Sequence, residues 1–310
     1  TVLRELRRRR LRREGLGAKE IDGILHAGTE ATAPNWWILG GSLAFVVFTV
    51  SLGLSPATYA QEIIFAGSMA IVLFLMSRLL RELDADARLA LVGTAVIVFV
   101  FRAVPGPGAG ATWFEIDVLG FDQRFIAILG MLSSCLALAG MVLLRPMMAA
   151  RSIAWIVAVL TVAGGILSLP NIGLYYGLHH WTSAMTGGVV DARFIAVIDA
   201  TLESPLGQIA MIPMLAWIAK NAPSHLKATF FAVMASFTNL ALSAASLGTK
   251  YMNQIFTVTR EVKDRATGAV QVAADYGELG WLLVAVTVIS VVVPLAVIVL
   301  VQASRLRTSQ

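Results

Sequence analysis

Apolar residues run along this chain in long blocks separated by short stretches of charge, glycine and proline. A block of ~20 apolar residues wound as a helix crosses the ~30 Å hydrocarbon core of a bilayer. By that rule the pattern predicts eight spans, over 35–55, 60–80, 88–118, 123–145, 151–177, 193–219, 225–250 and 279–303. No stretch shows the alternation of apolar and polar positions that marks a membrane β-barrel, so the spans are read as helices. The third is irregular. Pro105-Gly106-Pro107-Gly108 falls in its middle and Glu115 and Asp117 come late, which predicts either a broken helix or a shorter span followed by an interfacial helix.

Direction follows from Lys and Arg in the short loops. With eight crossings, one side collects Arg4, Arg7 to Arg10, Arg12 and Arg13, then Arg78, Arg81 and Arg88, then Arg145 and Arg151, then Lys220 and Lys227, and finally Arg305 and Arg307. The opposite loops are poorer in Lys and Arg or mixed in sign, as from Glu261 to Arg265, so both termini are expected on the cytoplasmic side. Residues 1–34 read as a basic cytoplasmic segment without the apolar core and cleavage site of a signal peptide. Because the chain opens at Thr1 within a charged run, it is expected to be the later part of a longer polypeptide.

Composition agrees with the spans. Hydrophobic residues make up 57% of the chain against 14% charged, and the mean hydropathy is +0.77, which excludes an ordinary soluble domain. The net charge of +5 does not imply a nucleic-acid partner, because the basic residues flank apolar blocks and act as topology signals. The single cysteine, Cys135, lies inside an apolar block, so no intrachain disulfide forms and it is expected to be a small buried hydrophobe.

Polar residues inside the spans are the candidate chemistry. A charge near the bilayer centre costs about 2.5–3.5 kcal/mol on insertion scales, so each is expected to face a partner or a water-filled path. Arg102 lies near the middle of the third span, while Asp199 and Glu203 stand four residues apart in the sixth, on one helical face. Stacked carboxylates in low dielectric suit a proton-coupled carrier, and a fixed ion pair with Arg102 is the structural alternative. Gln208 follows one turn later, and Pro205 and Pro213 bend the same span, as Pro105 does the third, making these prolines candidate gating points. Asn239, after Ser236 and Thr238 in the seventh span, reads as interhelical packing glue and as a candidate site residue. His179 and His180 are adjacent, which is not metal-ligand spacing, and Trp36, Trp37, Trp181 and Trp281 mark span ends. No phosphate loop, nucleophile motif or ligand set is found, so neither an enzyme nor a cofactor is expected.

From residue 88 to the end the chain resembles the C-terminal half of the folate-biopterin transporter family, a branch of the major facilitator superfamily. The resemblance rests on Asp199 leading into GQIAMIP (Gly207 to Pro213), on ATFFAVMASFTNL (Ala228 to Leu240, with Asn239), and on GWLLVAVTVIS opening the last span. It implies an all-α integral membrane protein of about eight helices, in which 88–310 is a six-helix C-terminal bundle and 35–87 an extra pair. Six further helices would precede Thr1, and Arg102, Asp199 and Glu203 would face one central cavity. The chain departs from the family pattern at Lys227, where a glutamate is usual, at Arg102, where a glutamine is common, and at Glu203. What the resemblance implies is a secondary transporter of a small anionic or heteroaromatic solute such as a folate or pterin, working by alternating access. The alternative is a transporter-like subunit that no longer transports and packs in a larger membrane complex. The expected partners are the bilayer, a small solute, and either an N-terminal half, fused or separate, or other membrane subunits. A bacterial inner membrane is the expected location.

Overall fold

A computed structural model describes residues 36–55, 59–143, 151–206, 226–264 and 267–306. The chain divides into two units, 1–43 and 44–310; of the first, the described part is 36–43, the opening two turns of a helix that exposes Trp36 and Trp37. The helices are α1 (Trp36–Gly53), α2 (Ala60–Leu80), α3 (Ala85–Arg102), α4 (Ala109–Asp117), α5 (Gln123–Leu143), α6 (Ile153–Leu167), α7 (Leu169–Tyr175), α8 (Leu178–Met185), α9 (Ala192–Glu203), α10 (Lys227–Ile255) and α11 (Leu279–Ala303). Among the described residues, five helical stretches are long and apolar enough to cross a membrane: Ala60–Leu80, Gln123–Leu143, Ile153–Tyr175, Lys227–Ile255 and Leu279–Ala303. The protein is an all-α integral membrane protein. One short hairpin interrupts the helices, with β1 (Val262–Lys263) pairing antiparallel to β2 (Val270–Val272) between α10 and α11.

The third expected span is broken. Proline has no N–H to donate and restricts the residue before it, so α3 stops at Arg102 and a helix restarts only at Ala109. Backbone freed this way inside a bilayer needs partners from protein, and α10 supplies them. Gly106 N donates to Thr249 Oγ1 at 2.9 Å, and Asn253 Nδ2 donates to Pro107 O at 3.3 Å and to Thr249 O at 2.8 Å. Gly108 has φ +75, a backbone region that glycine enters without steric cost.

The fifth expected span also divides. Ser168 joins α6 to α7, and Pro170 sits in the first turn of α7, where its missing N–H removes no helical bond. In the sixth, α9 ends at Glu203 and a 3₁₀ turn, Ser204–Leu206, follows; Pro205 is in that turn. Gln208 and Pro213 lie outside the described residues.

Lipid tails are as apolar as leucine, so packing between these helices rests on close van der Waals fit. Ile97 of α3, Ile156, Val157 and Leu160 of α6, and Ile298 and Val301 of α11 form one buried cluster. Gly165 lets α6 approach Val291 of α11 so closely that a methyl group there would collide. Helix α5 has one buried residue, Gly140, and turns Met131, Leu138 and Val142 outward. Cys135 is exposed on α5 rather than buried. In a membrane the outside is as apolar as the inside, so an apolar sequence neighbourhood does not separate a core thiol from a lipid-facing one.

Candidate functional site

A cavity of about 440 Å³ opens where the α3–α4 break meets α6, α7, the end of α9 and α11. Pro105, Gly106 and Pro107 form one wall, while Gly164 and Gly165 keep the opposite wall low. Its polar groups come from Thr161 and Ser168 near the α6–α7 junction, Asn171 of α7, Glu203 of α9, and Thr287 and Ser290 of α11.

Hydrogen bonding fixes what those groups offer. Thr161 Oγ1 donates to Val157 O at 2.7 Å, Ser168 Oγ to Gly165 O at 2.8 Å and Ser290 Oγ to Thr287 O at 2.9 Å. Each hydroxyl hydrogen is therefore engaged within its own helix, and what remains is oxygen lone pairs. Glu203 adds a carboxylate. The lining carries no cation among the described residues, and beside the Thr287 hydroxyl and the second Asn171 N–H its polar groups are mainly acceptors.

Asn171 links this cavity to a buried carboxylate behind it. Its Nδ2 donates to Asp199 Oδ2 at 2.7 Å, while Asp199, 7% exposed, keeps Oδ1 without a hydrogen-bond partner among the described residues. Asp199 lines a separate cavity of about 240 Å³ with Leu167, Pro170, Phe194 and Leu202. A third cavity, of about 110 Å³, holds Glu115 and again Asn171. Asn171 thus stands among three acidic side chains on two helices, Glu115 of α4 and Asp199 and Glu203 of α9. Sequence reasoning did not single it out, although an Asn directly after Pro170 within an apolar span was a visible signal.

The expected site residues are therefore spread rather than gathered. Glu203 and Pro105 line the larger cavity and Asp199 lines the one behind it. Arg102, half-buried in the last turn of α3, follows Phe101, which does line the larger cavity, but is not itself among the lining residues. Asn239 is exposed on α10 and lines none of these cavities.

A polar latch closes the end of α4. Arg260 donates to Asp117 through Nε at 2.9 Å and Nη2 at 2.8 Å, and the Tyr276 hydroxyl donates to Asp117 Oδ2 at 2.6 Å. Tyr175 Oη donates to the carbonyls of Tyr276 and Gly277, and Phe114 packs against both Tyr175 and Tyr276. Burial and the Asp117 carboxylate push the Tyr276 phenol up to about 12, and Asp117 also holds the Arg260 guanidinium above its ordinary value. No three His, Cys, Asp or Glu side chains among the described residues are placed to share a metal ion.

With this geometry in view, comparison with known proteins places the chain. The model of the BT1 family matches residues 46–309. A folate-biopterin transporter of Synechocystis sp. (strain ATCC 27184 / PCC 6803 / Kazusa) is 27% identical over 146 residues, 47% of this chain and 28% of that protein. The match thus spans well under half of the relative's length. No solved structure matches.

Proposed function

This chain belongs to the BT1 family, and on that premise we propose that it is the C-terminal portion of a secondary transporter carrying a pterin-like heteroaromatic solute by alternating access. The observation that carries this reading is the acceptor-lined 440 Å³ cavity beside the broken helix. A pterin presents an amino group and a ring N–H side by side, both donors. A carboxylate such as Glu203 accepts from such an edge through both oxygens, and Thr161, Ser168 and Ser290 offer further acceptors. A binding volume of this size lies within the range of small-molecule sites. Carriers place their sites at discontinuous helices, and α3–α4 is discontinuous.

Residues 88–310 are proposed as one half of the carrier, with the helices of 35–87 as an added pair, in a bacterial inner membrane with both termini cytoplasmic. The distribution of Lys and Arg supports that orientation. Proton coupling is assigned to Asp199 and Glu203, with Asn171 between the cavities they line. Arg102, Gln208 and Asn239 are kept as candidate contributors, with Pro105, Pro205 and Pro213 as points where the helices bend. The test is uptake of radiolabelled biopterin by proteoliposomes holding the full polypeptide. Uptake above protein-free vesicles that falls at least tenfold in Glu203→Gln supports the reading, and absence of pterin uptake with either protein overturns it.

A further inference from the structure

A fourth, larger cavity of about 850 Å³ is lined by α1, α2 and α10 and by Gly108 and Ala109, where the α3–α4 break ends. Its lining changes character along its length. Gln61, Lys250 and Asn253 stand at one end, and Phe45, Phe65 and Leu240 lie further in. From Gln61 to Ser68 along α2 is about 10 Å, and from Lys250 back to Leu240 along α10 about 15 Å, at the helical rise. The cleft is long, amphipathic and set within the spans.

Glu62 stands behind its polar end, bonded to the lining residue Lys250 but not itself among the lining residues. Lys250 Nζ donates to Glu62 Oε1 at 2.6 Å, and Tyr251 Oη donates to the same oxygen at 2.9 Å. An ammonium has three donors, so two remain on Lys250 after that bond. Glu62 Oε2 has no hydrogen-bond partner among the described residues. One residue therefore offers donors beside another that offers a carboxylate oxygen. Further in, Thr49 and Ser68 both line the cleft with hydroxyls that lack partners among the described residues, and Ser68 is 1% exposed. This departs from the habit of their neighbours, since Ser246 and Thr249 on the same cleft donate to carbonyls of their own helix. Buried polar groups that are not satisfied internally call for an outside partner.

We propose that this cleft holds one zwitterionic aminophospholipid, with its phosphate on Lys250, its amine toward Glu62 and an acyl chain between α2 and α10. The hydroxyls of Thr49 and Ser68 donate to its ester carbonyls, and Phe45, Phe65 and Leu240 cover the chain. The site is independent of the transport reading. It touches the same helix, because Thr249 and Asn253 line this cleft and also hold the α3–α4 break.

The experiment uses the full polypeptide, delipidated in detergent and titrated with phosphatidylethanolamine under native mass spectrometry. Leu247→Trp fills the cleft from α10, and Leu300→Trp on the outward face of α11 serves as control. The expected result is one retained lipid, whose apparent affinity falls at least tenfold in Leu247→Trp and not in Leu300→Trp. A phosphatidylethanolamine carrying a photoreactive group in its acyl chain, used on the unaltered protein, is expected to label residues 45–68 and 240–253. Equal binding by both variants, labelling spread evenly over α5 and α11, or displacement of the lipid by inorganic phosphate would each overturn the proposal.

Discussion

Asn171 Nδ2 reaches across from α7 to Asp199 Oδ2 on α9 at 2.7 Å, and this bond joins the wall of the candidate solute cavity to a carboxylate that solvent scarcely reaches. The amide holds one oxygen while the other has no hydrogen-bond partner among the described residues, so among them a single bond orients the carboxyl.

Removing that bond is expected to destabilise the protein. Asn171→Leu leaves a buried acceptor unsatisfied, which costs roughly 1–3 kcal/mol, and lowers the melting temperature in detergent. The double variant Asn171→Leu with Asp199→Leu is expected to recover part of the loss, because replacing both partners by apolar groups removes the unsatisfied acceptor. Additive losses would show that the two side chains are not coupled.

Neutralising both carboxylates tests the coupling step, at some loss of binding because Glu203 also serves the solute. Asp199→Asn with Glu203→Gln is expected to abolish accumulation driven by a proton gradient, while exchange of labelled for unlabelled solute at equal concentrations persists at a reduced level. Gradient-driven accumulation that survives both substitutions would remove these carboxylates from the coupling step.

The bent backbone at Gly108 gives a local test. Gly108→Ala places a Cβ at φ +75 and within 2.8 Å of Asn253 Nδ2. That backbone region, φ +75 with ψ −164, is entered almost only by glycine and costs roughly 1–3 kcal/mol for a residue with a side chain, and the displaced amide adds the loss of its bond to Pro107. The expected outcome is a lower melting temperature and faster hydrogen exchange at 103–110, with α5 unchanged.

Titration of the latch has a defined sign. Tyr276 is held protonated to about 12, above the ordinary phenol value of ~10. Its contribution to holding the loop is therefore complete below ~10 and is lost as the pH rises through about 12. In Asp117→Asn one of the two causes is removed, so tyrosinate absorbance at Tyr276, read against Tyr276→Phe, is expected to rise at lower pH. An unchanged titration would mean that burial alone sets it.

The spans over 60–80, 123–145 and 279–303 were legible because long uniform apolar runs admit one solution in a bilayer, and α2, α5 and α11 follow them within two residues. The break after Arg102 was legible as one of two options, since two prolines and two glycines in four positions leave a helix nowhere to continue. The hairpin between α10 and α11 was not, because its strands are two and three residues long within a polar loop and its register is set by contacts rather than by alternation. The site was partly legible. Asp199 and Glu203 announced themselves by the cost of their charge, but which cavity each lines depends on how α9 rotates against α7, and spacing on α9 alone carries no such information. Asn171, being neutral, gave only the weaker signal of an amide after Pro170 within an apolar span.

The props under the α3–α4 break arrive late in synthesis. Gly106 depends on Thr249, 143 positions further along the chain. Until α10 emerges from the ribosome and enters the bilayer, the backbone from 103 to 108 has none of these bonds, and bare peptide groups in hydrocarbon cost several kcal/mol each. Helices α3 and α4 must then wait in water, at the interface or within the insertion machinery. The half-made protein is consequently the state most exposed to quality control, and a ribosome stalled before the Thr249 codon would leave the break without this prop.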